Sequence, residues 1–289
     1  MLREEFDSIG ELNLVIDLEV NLVDGHLLEN VPAENEKLLR LIFHAGVEIV
    51  GGDGRGLVAV EKPAGVLSQP NGETADRRAI IFAPYDCATR AYVDGDGSPL
   101  VYLVNRLDSA TGGLLLLSMD ADTAARARKA FRSREVRKTY YATVFGGRNF
   151  RDGRWRDRIC TARNGNYLRA DGGEGPAAEA LTDVSLLDRR RIDHIDLAIL
   201  ELHPITGRTH QLRHQCALRS MAIVGDRTYG DFKLNRLVAK KFALRDLQLH
   251  SAAIEISGWQ TVCGSEFSAR SPAVESFLDW SKFSKKPRA

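Results

Sequence analysis

Four cysteines stand in 289 residues, at 87, 160, 216 and 263, and no two form a C-x-x-C pair. That spacing favours neither a zinc site nor a disulfide framework, and free thiols in a reducing compartment are the simplest account. Long apolar runs are also missing. The stretch Leu114–Leu117 is among the longest and is far too short to span a bilayer, so no membrane association is expected. The start MLREEFDSIGEL has neither the basic opening nor the apolar run of a signal peptide, and a cytoplasmic protein is expected. Internal repeats are absent. GGDGRG (51–56) lacks the Lys-Ser/Thr of a Walker loop and opens no helix, so it reads as a turn.

Net charge is only +1, but it is unevenly spread. The first 50 residues hold 11 acidic and 3 basic side chains, and the remainder 28 acidic and 37 basic. A basic body suits a phosphate-rich partner, although modestly basic domains are commonly just soluble. Hydrophobic residues make up 44%, enough to bury a core.

Three parts follow: an acidic extension over 1–46, a main domain over 47–282 and a basic tail over 283–289. In the extension, NLVIDLEVNLVDG alternates like strand and ENEKLLRLIFHAG resembles a short amphipathic helix ending at Gly46. The main domain opens with a hairpin, VEIV and LVAVEKP around GGDGRG, followed by a loop-rich stretch over 68–98. VYLVNRLD enters a turn, TGGLLLLSM is a buried strand, and Asp120 caps a helix over DADTAARARKAFRSR. KTYYATVFG, EALTDVSLL, HIDLAILELHP and LQLHSAAIEI are strands. TGRTHQLRHQCALRS turns into a helix, FKLNRLVAKKFAL is helical, and a short helix lies near 272–282. Strands outnumber helices and run consecutively, which indicates an α+β domain on a mixed, largely antiparallel sheet with flanking helices.

Three segments carry chemistry. In NRLDSATGGLLLL (105–117) Asp108 precedes a Gly-Gly turn and a buried strand. Such an Asp is commonly a turn residue, but a carboxylate on a rigid strand end can also serve as a nucleophile. In KTYYATV (138–144) Tyr140 and Tyr141 point to opposite sheet faces, so one is core and the other free to stack on a base. In HPITGRTHQLRHQ (203–215) Arg208, His210, Arg213 and His214 make a very polar helix start. His210 and His214 have the spacing of zinc ligands. However, Gln211 stands where a zincin has Glu and no third ligand is evident, so no metal is expected. Arg213 reads as the partner of a carboxylate.

Together these segments resemble the RluA-type pseudouridine synthases. Asn105-Arg106-Leu107-Asp108 through Leu116 is similar to the family's H-R-L-D-x-x-T-S-G-L-L-L run. EKPAGVLSQP, KTYYATV, PITGRTHQLR, AIVGDRTYG and LQLHSAAI resemble its remaining motifs, in family order over about 47–275. The resemblance implies a pseudouridine synthase fold with a central catalytic cleft, an RNA partner (ribosomal or transfer RNA) and no cofactor. It makes Asp108 the nucleophile, Arg213 the partner of its carboxylate and Tyr140 the ring that stacks on the target uracil. Arg106 holds the flipped-out nucleotide and Leu249 lines the apolar side. Arg208 and His210 are read as further RNA- or substrate-binding residues. Asn105 replaces the usual His, Gly112 stands where Ser is common, and 1–46 lacks the start of an S4 RNA-binding module. The basic run Arg126–Lys138 and the arginines between 148 and 163 read as tracks for an RNA backbone. A non-catalytic RNA-binding protein on the same fold and a metal-dependent hydrolase are the competing readings. A monomer is the default expectation.

Overall fold

The computed structural model describes residues 41–160 and 177–284, all within one unit, Ala33–Ala289. The expected strand NLVIDLEVNLVDG and most of the expected helix over 34–46 lie outside the described residues, as do 161–176 and most of the basic tail.

Among the described residues, twelve strands form one sheet. In chain order they are β1 (Glu48–Gly52), β2 (Leu57–Lys62), β3 (Tyr85–Asp86), β4 (Ala91–Val93), β5 (Pro99–Leu103) and β6 (Gly112–Ser118). β7 (Val136–Phe145), β8 (Gly153–Cys160), β9 (Ala177–Ile192), β10 (Ile195–Pro204), β11 (Leu249–Gln260) and β12 (Glu266–Arg270) follow. The order across the sheet is β3-β4-β5-β6-β11-β7-β10-β9-β8; β2 pairs with β1 and β6, and β12 with β11. Among these strand pairs only β6 with β11 is parallel. Helices α1 (Ala121–Ser133), α2 (Gln211–Leu218), α3 (Phe232–Phe242) and α4 (Val274–Leu278) complete the domain, followed by a 3₁₀ turn, Trp280–Phe283. No helix among the described residues is long and apolar enough to cross a membrane.

The apolar run of β6 is continuous because both of its faces are covered. Leu115 and Leu117 enter one core cluster with Val58, Val60 and Leu103; Leu114 and Leu116 enter another with Ala127, Ala130 and Ile254. A strand buried on both faces has no polar alternation to show. α1 starts where expected, with the Asp120 carboxylate accepting from Thr123 N at 2.7 Å. It lays Ala124, Ala127 and Ala130 against the sheet. Small residues at that spacing let the helix approach closely.

The strands beside the parallel junction position the site. Ser251 of β11 lies opposite Gly113 of β6 on one side and Tyr140 of β7 on the other. Gly113 has φ +107°, and a Cβ there would meet the Ser251 backbone oxygen at 2.3 Å and nitrogen at 2.5 Å. Gly113→Ala is therefore expected to destabilise the fold by more than about 1 kcal/mol, through strain and loss of the β6–β11 pairing. A urea titration of the variant measures this, and an unchanged midpoint would refute it.

Several expectations need correction. Residues 41–46 are not the end of a helix: Phe43 forms an antiparallel bridge with Ile81 and packs on the core, and Gly46 turns with φ +85°. The body therefore begins by Leu41, ahead of residue 47. The loop-rich stretch 68–98 contains two short strands, β3 and β4. At the other end, Phe283, placed with the basic tail, belongs to the body: it is 2% exposed and packs with Phe242 and Trp280.

Candidate active site

Asp108 sits on the turn that feeds β6, and that turn is clamped from several sides. Ser68 Oγ donates to Leu107 O at 2.9 Å and accepts from Leu107 N at 3.0 Å. Thr111 N donates to Asp108 O at 3.0 Å. The fully buried Lys62 ammonium donates to three carbonyls, of Val66, Pro63 and Ser109, at 2.8 to 3.1 Å. Burial pulls Lys62 down to about 7, an effect the charges of Asp108 and Glu61 oppose. Asn105, where the family run has His, turns to the sheet, its Oδ1 accepting from Leu116 N at 2.7 Å.

Arg213 enters from α2. The helix is held by a buried amide network. Gln211 Nε2 donates to Leu181 O at 3.0 Å and to Thr182 Oγ1 at 2.9 Å, and Thr206 Oγ1 donates to Gln211 Oε1 at 2.7 Å. Gln215 accepts from Thr182 Oγ1 at 2.6 Å. Arg213 forms a two-pronged pair with Asp226, Nε to Oδ2 and Nη2 to Oδ1, both at 2.8 Å, and also donates to Thr228 Oγ1 at 3.0 Å. Its remaining nitrogen, Nη1, reaches Asp108 Oδ2 at 3.5 Å. Asp108 is thus the looser of two carboxylates on one guanidinium. Asp226 is buried, which pushes its carboxyl up, but Arg213 and the amides of Thr228 and Tyr229 outweigh this and hold it below its ordinary value.

His210 is the N-cap of α2, in the left-handed region with φ 55°, and its ring and that of His214 both pack edge-on against Tyr229. Its Nε2 lies 3.6 Å from Asp108 Oδ2 and its Nδ1 3.3 Å from the Tyr229 hydroxyl. Burial lowers its pKa; Asp108 opposes this and Arg213 adds to it. The imidazole beside Asp108 is accordingly neutral at neutral pH. No group of three His, Cys, Asp or Glu residues among the described residues could hold a metal.

All seven residues singled out from the sequence line one cavity of about 190 Å³: Asp108, Tyr140, Arg213, Arg106, Leu249, Arg208 and His210. Arg106 and Arg208 are exposed, and Leu249 is buried. Tyr140 packs at the seam of two core clusters. Its phenol is pushed up to about 12 by burial and the nearby Asp108 charge, with Ser251 opposing, so it is neutral at working pH. Asp108 is the one carboxylate among the residues lining this cavity, and its side chain is 24% exposed.

Two further participants stand at the site: the sequence placed Lys138 only in the basic run Arg126–Lys138 and gave Asp226 no role. Lys138, two residues before Tyr140 on β7, lines the same cavity; burial lowers its ammonium to about 8, and it donates to Thr206 O at 3.4 Å. The period-two spacing from Tyr140 was the available signal. Asp226 lies within AIVGDRTYG, but nothing in that run points to Arg213.

Several side chains of the basic tracks have partners within the fold. Arg128 donates to the carbonyls of Thr89, Arg90 and Leu103, and Arg126 lies 4.1 Å over the Trp259 ring. Arg154 pairs with Asp183 at 2.6 Å and Arg156 with Glu179 at 3.6 Å. Arg163 lies outside the described residues.

A second buried cluster lies behind the turn. Glu61 Oε1 is 3.5 Å from His250 Nε2, and that nitrogen is 2.7 Å from Ser271 Oγ. Burial raises Glu61 to about 7 and lowers His250 to about 4. A carboxyl whose folded pKa is raised contributes stability below its unfolded value and loses it as pH rises toward the folded one. Glu61→Gln is therefore expected to gain stability relative to wild type between about pH 4.5 and 7. The gain is at most about 1.4 kcal/mol for each pH unit crossed in that window. Melting temperatures at pH 5 and pH 8 test it; a difference that does not grow with pH sinks it.

Known proteins agree with the fold and the motifs. The RNA pseudouridylate synthase family matches residues 56–218. The tRNA pseudouridine synthase C of Yersinia pestis is 31% identical over 211 residues, covering 70% of this chain and 77% of that one. The dual-specificity RNA pseudouridine synthase RluA of Vibrio parahaemolyticus is 30% identical over 199 residues, covering 68% and 73%. Human RNA pseudouridylate synthase domain containing 1 shares the fold, with a TM-score of 0.56 at 23% identity over 78% of this chain and 83% of that one. The chain belongs to the RNA pseudouridylate synthase family, in its RluA-type branch, and is an isomerase acting on RNA.

Proposed function

We propose that this enzyme isomerises uridines in transfer or ribosomal RNA, with Asp108 as its nucleophile. Relatives named for each RNA class support the substrate pools. The observation that carries the role of Asp108 is its position as the one carboxylate lining the 190 Å³ cavity, partly exposed and within 3.5 Å of a buried guanidinium.

The reaction breaks the N1–C1′ bond, turns the uracil and joins C1′ to C5. The C5 hydrogen leaves as a proton and N1 gains one, so no redox partner is required. The target base first leaves its stack, at a cost of a few kcal/mol. Stacking on Tyr140 offsets about 1–3 kcal/mol of this. Leu249 gives the base an apolar wall, and the neutral Tyr140 phenol adds no competing charge. Arg213 balances the charge of Asp108 and orients its carboxylate. Arg106, Arg208 and Lys138 supply cations for the phosphates of the extruded nucleotide, and the neutral His210 flanks Asp108 without quenching its charge.

Tritium release from [5-³H]uridine-labelled RNA lacking the modification tests the reading. Release is expected from a transfer RNA or ribosomal RNA pool. Bound RNA with no release from either pool would overturn it in favour of a non-catalytic RNA-binding protein.

A further inference from the structure

Asp108 faces a second, larger cavity of about 680 Å³, on the wall it shares with the target site through Arg106, Leu107, His210 and Arg213. Its volume falls in the range of about 300–1,000 Å³ typical of pockets that enclose drug-sized ligands.

Its lining is built to hold a polyanion with bases attached. Arg227 and Arg245 are exposed and make no ion pair or hydrogen bond among the described residues, unlike most arginines of the β8–β9 hairpin. Two chain segments present them, locked by a close approach. Gly225 has φ +79°, and a Cβ there would meet Asp246 O at 2.1 Å, while Gln248 N donates to Val224 O at 2.8 Å. Their carboxylate neighbours do not cancel them: Asp226 is spent on Arg213, leaving Asp246 as the further acid on this side. The facing wall is the 64–71 loop, which Ser68 fastens to Leu107 and to Tyr92, whose hydroxyl donates to Ser68 O at 2.9 Å. That loop offers the amide of Gln69, half-buried and without a hydrogen bond among the described residues. An amide presents both a donor and acceptor to a base edge.

The geometry points to this cavity as the seat of the unpaired nucleotides next to the target uridine. Arg227 and Arg245 hold their phosphates and Gln69 meets the edge of a neighbouring base. This deepens the proposed function and rests on it for the identity of the target cavity. Recognition of RNA through unstacked bases in single-stranded loops is the general case. Here it makes the choice of uridine depend on its neighbours through a site separate from the Tyr140 cavity.

Binding of a short oligouridylate, followed over a range of salt concentrations, tests it. Each phosphate contact on a single strand contributes about 0.7 to the slope of log K against log salt. Arg227→Gln/Arg245→Gln is expected to lower the slope by about 1.4, with an unchanged melting temperature because both side chains are exposed. Arg236→Gln/Lys240→Gln on α3 removes the same charge from residues that do not line the cavity, and should leave the slope as it was. Gln69→Ala should change the preference among homopolymer oligonucleotides without changing the slope. An unaltered slope in the first variant, an equal loss in the α3 variant, or no oligouridylate binding by wild type would each overturn the inference. Tritium release by wild type separates the two readings. Release with an unaltered slope sinks only the flanking site, whereas a lowered slope without release leaves the cavity an RNA-binding site and sinks the isomerisation on which its place beside a target uridine rests.

Discussion

Asp108→Asn is expected to bring tritium release down to background, a loss of at least about 10⁴-fold, while the protein remains folded and still binds RNA. The replacement keeps the shape of the side chain and removes only the charge and nucleophilic oxygen. The fold should tolerate it because the turn is held by backbone: Ser68 on Leu107, Thr111 N on Asp108 O, and Lys62 on Ser109 O. Arg213 keeps its stronger partner, Asp226, so no buried cation is orphaned. His210 supplies an internal control. Asp108 now opposes the fall in its pKa, so loss of that charge should lower the histidine further, as an NMR titration would read. Substantial residual release by a folded variant would remove Asp108 from the nucleophile's role and leave the cavity without another carboxylate to replace it.

How much of the fold the sequence announced depended on where burial leaves a mark. β6 was legible because four consecutive leucines between Gly113 and Ser118 have no other comfortable place. α1 was legible from Asp120 and its alanine-rich stripe. β12 went unnoticed: its five residues, EFSAR, bury only Phe267 and Ala269 and sit beside a turn, too little pattern to distinguish from loop. The expected helix ending at Gly46 failed for a related reason. Leu39 and Phe43 fit helical spacing, but Phe43 is claimed by Ile81, some forty residues away, and no local pattern reports such a pairing.

The site was more legible than the fold because its residues occur in compact motifs. All seven named side chains reach one cavity, and the register explains it: β6, β11 and β7 lie side by side, with Gly113, Ser251 and Tyr140 in line. What the motifs could not convey was division of labour. Arg213 was assigned to a single carboxylate, whereas it binds Asp226 tightly and touches Asp108 at 3.5 Å. The basic runs promised a phosphate track, yet Arg128 braces carbonyls and Arg126 covers an indole. Charge in sequence does not say which arginines are free: Arg227, alone in AIVGDRTYG, and Arg245, outside the motifs, make no ion pair or hydrogen bond among the described residues.

That division of labour makes Asp226 the residue whose loss should cost the fold most. Asp226→Asn leaves the Arg213 guanidinium buried with half its pair gone, and breaking a buried ion pair from one side costs about 3–5 kcal/mol. The Asp226 side chain is 1% exposed, so water cannot take over. The sign of the pH dependence follows from its depressed carboxyl. The stability it contributes is present above its ordinary value of 3.8 and is lost as pH falls through the lower folded value. The gap between wild type and variant in urea titrations should therefore be widest near neutrality and narrow in acid. Activity should fall as well, because the guanidinium that orients Asp108 loses its anchor. Arg213→Lys separates the two effects. It preserves the charge but not the fork that spans two carboxylates, so it should lose more activity than stability. A variant Asp226→Asn within about 1 kcal/mol of wild type at neutral pH would show that Asp108 and Thr228 suffice to hold Arg213, and that the buried pair is not what builds the site.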